Sequence, residues 1–295
     1  MRITGLHLLL TYKCLFECDH CFVRSGPGRQ GVMSLEMINN VLDQARDAET
    51  VRSIYFEGGE PFLYYPVLVE GVKAAAARGL EVGVVTNAYW ATGPADARLW
   101  LQPLAGLLVD LTVSSDVYHS GAKPDPRPDF AAQAAAGLNI PCTRISVAEP
   151  GPAPEAGEKA TLMFRGRAAE KLAPQAPRFP ADRFRECPHE DLRDPGRVHL
   201  DPFGHVFICQ GISIGNIFRR PLNLILRDYD PDRHPAAGPL LRGGPRELAL
   251  SHDLPVDGRY ADACHLCHET RKALAGRFPD IFTPAQLYGI IDDTD

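Results

Sequence analysis

Apolar positions follow two rhythms along the first half of the chain. Short runs rich in Leu, Ile, Val and Phe lie at residues 5–11, 53–59, 81–87, 106–115 and 141–148. Each is too short for a stable helix and is bounded by turn formers, so each predicts a buried strand. Residues 160–164, "ATLMF", predict a sixth. Between the strands the rhythm becomes helical. "SLEMINNVLDQARDAE" carries apolar residues at helical spacing, with Ser34 as its N-cap. "VLVEGVKAAAARG" predicts a helix closed by Gly79, and "DFAAQAAAG" another. Repeated strand–helix units imply a parallel sheet with right-handed crossovers, and six units suit an open, partial barrel. Sites in such sheets lie beyond the C-terminal strand ends.

The pattern changes near residue 172. "APQAPRFPADRF" is proline-rich and irregular, which divides the chain into segments 1–170 and 171–295. Beyond it, "RVHLDPFGHVFIC" predicts a hairpin about its DPFG turn. "PLNLILRDY", "GPRELALS" and "CHLCHETRKALAGRF" predict short helices.

Composition narrows the function classes. The 295 residues are 45% hydrophobic and 23% charged, ordinary for a globular protein. With 31 basic against 37 acidic residues the net charge is −6, so no broad basic face and no nucleic-acid partner are expected. No apolar run approaches the ~18 residues of a membrane span, so no membrane partner is expected. The N-terminal apolar run is too short for a signal peptide, which predicts a cytoplasmic protein with reduced cysteines.

Three of the 8 cysteines, Cys14, Cys18 and Cys21, sit just after the first predicted strand. Three thiolates can hold three irons of a four-iron cluster and leave the fourth iron open to an outside ligand. A zinc knuckle completed by His20 or a distant residue also fits this spacing. After the second strand comes Gly58-Gly59-Glu60-Pro61. The glycines let the backbone turn and approach a ligand closely, and the Glu60 carboxylate could accept from an ammonium group.

Taken together, Cys-x3-Cys-x2-Cys after strand one and Gly-Gly-Glu-Pro after strand two resemble the radical SAM enzymes. That resemblance covers roughly residues 1–167 and implies a partial (β/α)6 TIM-like barrel of the α/β class. It implies that Cys14, Cys18 and Cys21 bind a 4Fe-4S cluster whose open iron is chelated by S-adenosyl-L-methionine. The backbone at Gly58 and Gly59, with Glu60, would hold the methionine ammonium, and Pro61 completes this cofactor-binding motif. His20 takes the place where the family commonly has an aromatic residue. Thr86, Asn87, Ser114 and Arg144 would meet the ribose and carboxylate. The reaction would start from a 5′-deoxyadenosyl radical that abstracts a hydrogen atom from a peptide or small-molecule substrate. An electron donor such as flavodoxin or ferredoxin would be needed.

Four later cysteines, Cys187, Cys209, Cys264 and Cys267, with Gly204 five positions before Cys209, resemble the twitch domain, a shortened SPASM extension. This implies a small C-terminal α+β domain with an auxiliary 4Fe-4S cluster that takes part in electron transfer. Structural zinc on the same four thiolates is the alternative. His189, His265 and His268 flank these cysteines. Cys142 is left over, as a small buried hydrophobe or a radical-quenching thiol. Asp116, Tyr118 and His119 are candidate substrate contacts, and Arg165 and Arg167 candidate anion binders. A peptide epimerase or cross-linking maturase is the second function expected, and a non-catalytic zinc- or iron-binding interaction protein the third.

Overall fold

In the computed structural model, residues 1–120, 125–151 and 159–290 are described. Strands and helices alternate through the first half: β1 (Ile3–Thr11), α1 (Leu35–Asp47), β2 (Ser53–Gly58), α2 (Tyr65–Ala77), β3 (Glu81–Thr86), α3 (Pro94–Leu101), β4 (Leu108–Ser114), α4 (Val117–Ser120), α5 (Arg127–Gly137) and β5 (Cys142–Ile145). The second half holds α6 (Arg167–Lys171), β6 (Phe179–Pro180), β7 (Gly196–Leu200), β8 (His205–Cys209) and β9 (Ile212–Asn216). After these come α7 (Leu222–Asp228), α8 (Ala237–Leu250), β10 (Arg259–Tyr260) and α9 (Ala263–Leu274).

Local chemistry explains the predicted elements. The Ser34 hydroxyl accepts from the Met37 N–H at 3.1 Å and caps α1. Ile38, Val41, Leu42 and Ala45 form its buried stripe. Burying each of the larger three contributes about 2 kcal/mol. Past α2 the chain turns at Gly79, whose φ is +76°, where a side chain would be strained. Along β1, Leu6, Leu8, Leu9 and Leu10 are all fully buried, so both strand faces are covered, as a parallel sheet between helices requires.

One eight-stranded sheet runs in the order β5-β4-β3-β2-β1-β7-β8-β9, and β6 pairs with β10 separately. β1 to β5 are parallel. β7 adds to the free side of β1, also parallel, with His7 opposite His199. β8 and β9 then run antiparallel as the predicted hairpin and its extension. The sheet therefore continues across residue 170 and does not close into a barrel.

The sixth strand expected at residues 160–164 is not formed. Ala160 makes one isolated bridge with Val147. After it the chain leaves the sheet: the Phe164 N–H donates to the Asp262 carboxylate at 3.2 Å. Leu162 and Phe164 pack with Ala168, Leu172 and Ala173 in a small separate core. Among the described residues, no helix is long and apolar enough to cross a membrane.

Candidate functional site

At the C-terminal ends of the parallel strands lies a cavity of about 130 Å³. Cys14, Cys18 and Cys21 line it with Gly58, Gly59, Thr86, Asn87, Ser114 and His20. The sulfurs are met by weak donors: Phe16 N–H to Cys14 at 3.4 Å, Ser25 N–H to Cys21 at 3.3 Å, and Asn87 Nδ2 to Cys14 at 3.5 Å. Burial pushes the Cys14 thiol up to about 12, and the Cys18 thiol is raised for the same reason. Such a pocket disfavours bare thiolates, and a bound cation reverses the balance by deprotonating its ligands.

The glycine pair lines the cavity and also lets two backbone segments approach closely. Gly58 has a φ of +133°, and a Cβ there would stand 2.4 Å from the Thr11 carbonyl oxygen. At Gly59 a Cβ would stand 2.1 Å from the Lys13 oxygen. The close approach is thus to the chain's own backbone, just where β1 gives way to the cysteine loop. Gly59 N–H donates to Thr11 O at 2.6 Å, and Glu60 N–H to Lys13 O at 3.0 Å.

Glu60 is wholly buried and does not line the cavity itself. Its Oε1 accepts from Phe62 N–H and Thr86 Oγ1, and its Oε2 from Asn87 N–H, at 2.8 to 3.0 Å. It ties the end of β2 to the end of β3. Burial pushes its carboxyl up to about 7 against these donors. Pro61, also buried, opens the single 3-10 turn that follows.

The polar strand-end residues divide. Thr86, Asn87 and Ser114 reach the cavity. Arg144 does not, because its guanidinium is half exposed and paired with Asp129 of α5 at 2.6 Å. His20 stacks on Tyr118 with ring centroids 4.5 Å apart, so a flat ring does stand beside the third cysteine. Burial lowers His20 to about 4, which keeps that ring neutral. Asp116 lies 2.7 Å from His119 Nδ1 and 3.7 Å from His20 Nε2, which groups the candidate residues after β4 at this mouth.

A second cavity, of about 20 Å³, is lined by all four later cysteines. Cys209 ends β8, while Cys264 and Cys267 lie one turn apart on α9, capped by the Asp262 side chain. Cys187 is held by a backbone approach: α8 kinks at Gly243 and Gly244, and a Cβ on Gly244 would stand 2.2 Å from the Glu186 nitrogen. Burial pushes Cys267 up to about 12 and raises Cys187 and Cys264. His265 and His268 turn to backbone, accepting from Ala261 N–H at 3.1 Å and Gly166 N–H at 3.4 Å. His189 groups with Asp262 and Cys264 at this cavity's edge. Cys142 lies in neither cavity and is partly buried on β5.

Arg165 and Arg167, expected to meet an anion, are both buried inside the protein instead. Arg165 Nη1 donates to Cys209 Sγ at 3.1 Å. Arg167 donates to the carbonyls of Cys18 at 2.7 Å and Ser25 at 2.6 Å. Nothing in the local sequence pattern distinguished these arginines from solvated helix starts.

Residues 8–145, which span the first cavity, match the radical SAM superfamily. They form a radical SAM domain. YydG of Bacillus subtilis, named for a role in peptide biosynthesis, is 28% identical over 112 residues, 38% of this chain and 35% of its own length. The tungsten-containing aldehyde ferredoxin oxidoreductase cofactor-modifying protein of Pyrococcus furiosus is 32% identical over 111 residues, 37% of this chain and 30% of its own. The chain thus matches about a third of the length of these curated relatives. Among solved structures, Streptococcus suis SuiB bound to its precursor peptide SuiA aligns with a TM-score of 0.58 at 13% identity, over 89% of this chain and 76% of that one. At that identity the likeness shows a shared fold.

At the edge of the first cavity one more group stands out. Glu57 lines the first cavity, and its two carboxylate oxygens meet His7 Nδ1 at 3.1 Å and His199 Nδ1 at 2.8 Å. Burial pushes the Glu57 carboxyl up, but the two imidazoles outweigh it and leave it well below the usual range. The three residues come from β1, β2 and β7, too far apart in sequence for their meeting to be read there.

Proposed function

We propose that this chain is a radical SAM enzyme that modifies a peptide. The observation that carries this is the convergence of Cys14, Cys18 and Cys21 with Gly58, Gly59 and Asn87 on one cavity inside a matched radical SAM domain. The donor set fits a 4Fe-4S cluster with one iron left for S-adenosyl-L-methionine. When bound, that pair supplies a 5′-deoxyadenosyl radical able to take a hydrogen atom from an unactivated C–H bond.

The chain's own residues orient and enclose this chemistry. Asn87 donates toward Cys14, and the His20–Tyr118 stack offers a flat neutral wall. Glu60 holds the β2 and β3 ends together from behind, so the cavity rim stays in place. Ser114 would offer its hydroxyl to the bound cosubstrate, while the Thr86 hydroxyl is held by Glu60 and Trp90. A peptide substrate is supported by the roles named for YydG and SuiB, and a small molecule is the second candidate.

Residues 171–295 form, in this proposal, an auxiliary domain with a fully ligated second 4Fe-4S cluster on Cys187, Cys209, Cys264 and Cys267. Four thiolates on one enclosed cavity fit that group and leave no iron open. It would pass electrons to or from a flavodoxin- or ferredoxin-type partner. Because Cys142 lies outside both cavities, it does not support a radical-quenching cysteine at that position.

Anaerobic reconstitution, metal counting and an assay for 5′-deoxyadenosine after dithionite reduction test the proposal. About eight irons per chain with 5′-deoxyadenosine formed is the expected result. Four irons plus one zinc would remove the auxiliary cluster, and absence of 5′-deoxyadenosine would remove the activity.

A further inference from the structure

Two arginines are buried against the second cysteine cavity. Arg165 is 6% exposed and Arg271 2%. Besides its bond to Cys209, Arg165 has Glu190 at 3.7 Å, which Arg197 shares at the same distance, and it also feels the partly buried Asp262 carboxylate. Arg165 Nε has no hydrogen-bond partner among the described residues. Arg271 donates to the carbonyls of Gln210 at 2.8 Å and Cys267 at 3.3 Å, and its guanidinium lies over the Tyr288 ring.

Guanidinium groups stay charged, and burying one without an opposing charge is costly. Four neutral thiols would leave these two cations facing only Glu190, which Arg197 shares, and Asp262, whose charged form burial disfavours. An anionic group in the cavity balances them. A four-thiolate iron–sulfur cluster is such a group, and its negative charge grows by one on reduction. A fixed cation beside it favours the reduced form more than the oxidised form, because the attraction scales with the charge.

We propose that Arg165 and Arg271 are positioning residues for redox chemistry: their buried charges set the reduction potential of the group held by Cys187, Cys209, Cys264 and Cys267, raising it. This rests on the auxiliary-cluster proposal above. Arg165 is suited to the task because its neighbours fix it. Gly166, at φ +61°, packs onto the Cys21 and Phe22 carbonyls, and Arg167 is anchored to the first cysteine loop.

The test uses the full-length chain with Cys14→Ala, Cys18→Ala and Cys21→Ala, so that only the second cavity can load. If this background binds zinc or no iron, the auxiliary-cluster proposal itself falls. If it holds about four irons, EPR-monitored potentiometric titration reads the cluster's midpoint. With Arg165→Gln the oxidised-to-reduced ratio at the parent midpoint should rise about tenfold, or about 59 mV for one electron. Arg165→Lys should stay near the parent, and Arg271→Gln should shift in the same direction as Arg165→Gln. A loaded Arg165→Gln with an unmoved midpoint overturns the inference, as does an Arg165→Lys that falls equally far. If neither glutamine variant loads iron, loading of both lysine variants supports charge compensation. Failure of all four overturns it, because shape rather than charge would then hold the cavity.

Discussion

Arg165 and Arg167 stand two positions apart and serve different cysteine cavities. Arg165 donates to the Cys209 sulfur in one, and Arg167 to the Cys18 and Ser25 carbonyls of the loop that frames the other. Gly166 between them accepts no side chain, since a Cβ would lie 2.4 Å from the Phe22 oxygen. Replacing Arg167 by Ala leaves two buried carbonyls without their charged donor. A loss of about 3 kcal/mol in urea unfolding is expected. Iron bound by the first cysteine set should fall with it, while Arg167→Lys recovers part of both.

Gly59 and Gly28 lie in the same region and should respond oppositely to alanine. A Cβ at Gly59 collides with the Lys13 carbonyl, whereas nothing lies within 4 Å of one at Gly28. Gly59→Ala should cost about 3 kcal/mol or more and displace the start of the cysteine loop. Gly28→Ala should stay within ~0.5 kcal/mol of the parent. Urea denaturation with iron counting compares them. Equal behaviour of the two variants would show that the close backbone approach is unimportant.

Selective cysteine loss separates the two centres. Cys267→Ala should lower iron content by about half yet keep substrate-free 5′-deoxyadenosine formation. Cys14→Ala should abolish that product while keeping the second half of the iron. The two variants need only metal analysis and chromatography, and loss of product in both would merge the centres into one function.

His234 predicts how stability depends on pH. Its Nε2–H donates to Ser213 O at 3.1 Å, while Nδ1 accepts from Ala236 and Ala237 N–H at 3.2 Å, ahead of α8. A second ring proton has nowhere to go, and burial lowers its pKa. A depressed folded-state value means the unfolded chain takes the proton first. The stabilisation is therefore full above about 6.5 and fades as pH falls below it. His234→Asn should be less stable than the parent at pH 7.5, with the gap narrowing by pH 5.5 in chemical denaturation. A constant gap would rule out this histidine as the source.

Much of this arrangement was legible because strand ends in a parallel sheet concentrate chemistry. The cysteine loop, the glycine pair, Asn87 and Ser114 all follow strands whose apolar runs are unmistakable, and all reach one cavity. Residues whose roles depend on distant partners were not legible. The Glu60 carboxylate looks available in sequence, yet Thr86 and Asn87 claim it from the next strand end. The run at 160–164 has strand composition, but Asp262, about a hundred residues later, draws the chain away. Likewise β7 finds β1 across nearly two hundred residues, which no local periodicity encodes.

That last pairing has a practical consequence. β1 is flanked by β2 on one side and by β7 on the other, so the strand that launches the first cysteine loop depends on residues 196–200 for half its backbone partners. A fragment ending at 170 would bare the unpaired backbone edge of β1 from Ile3 to Leu8. Exposed edges of that kind recruit other chains into new sheets. Expressing the first half alone should therefore give aggregates rather than a smaller working unit.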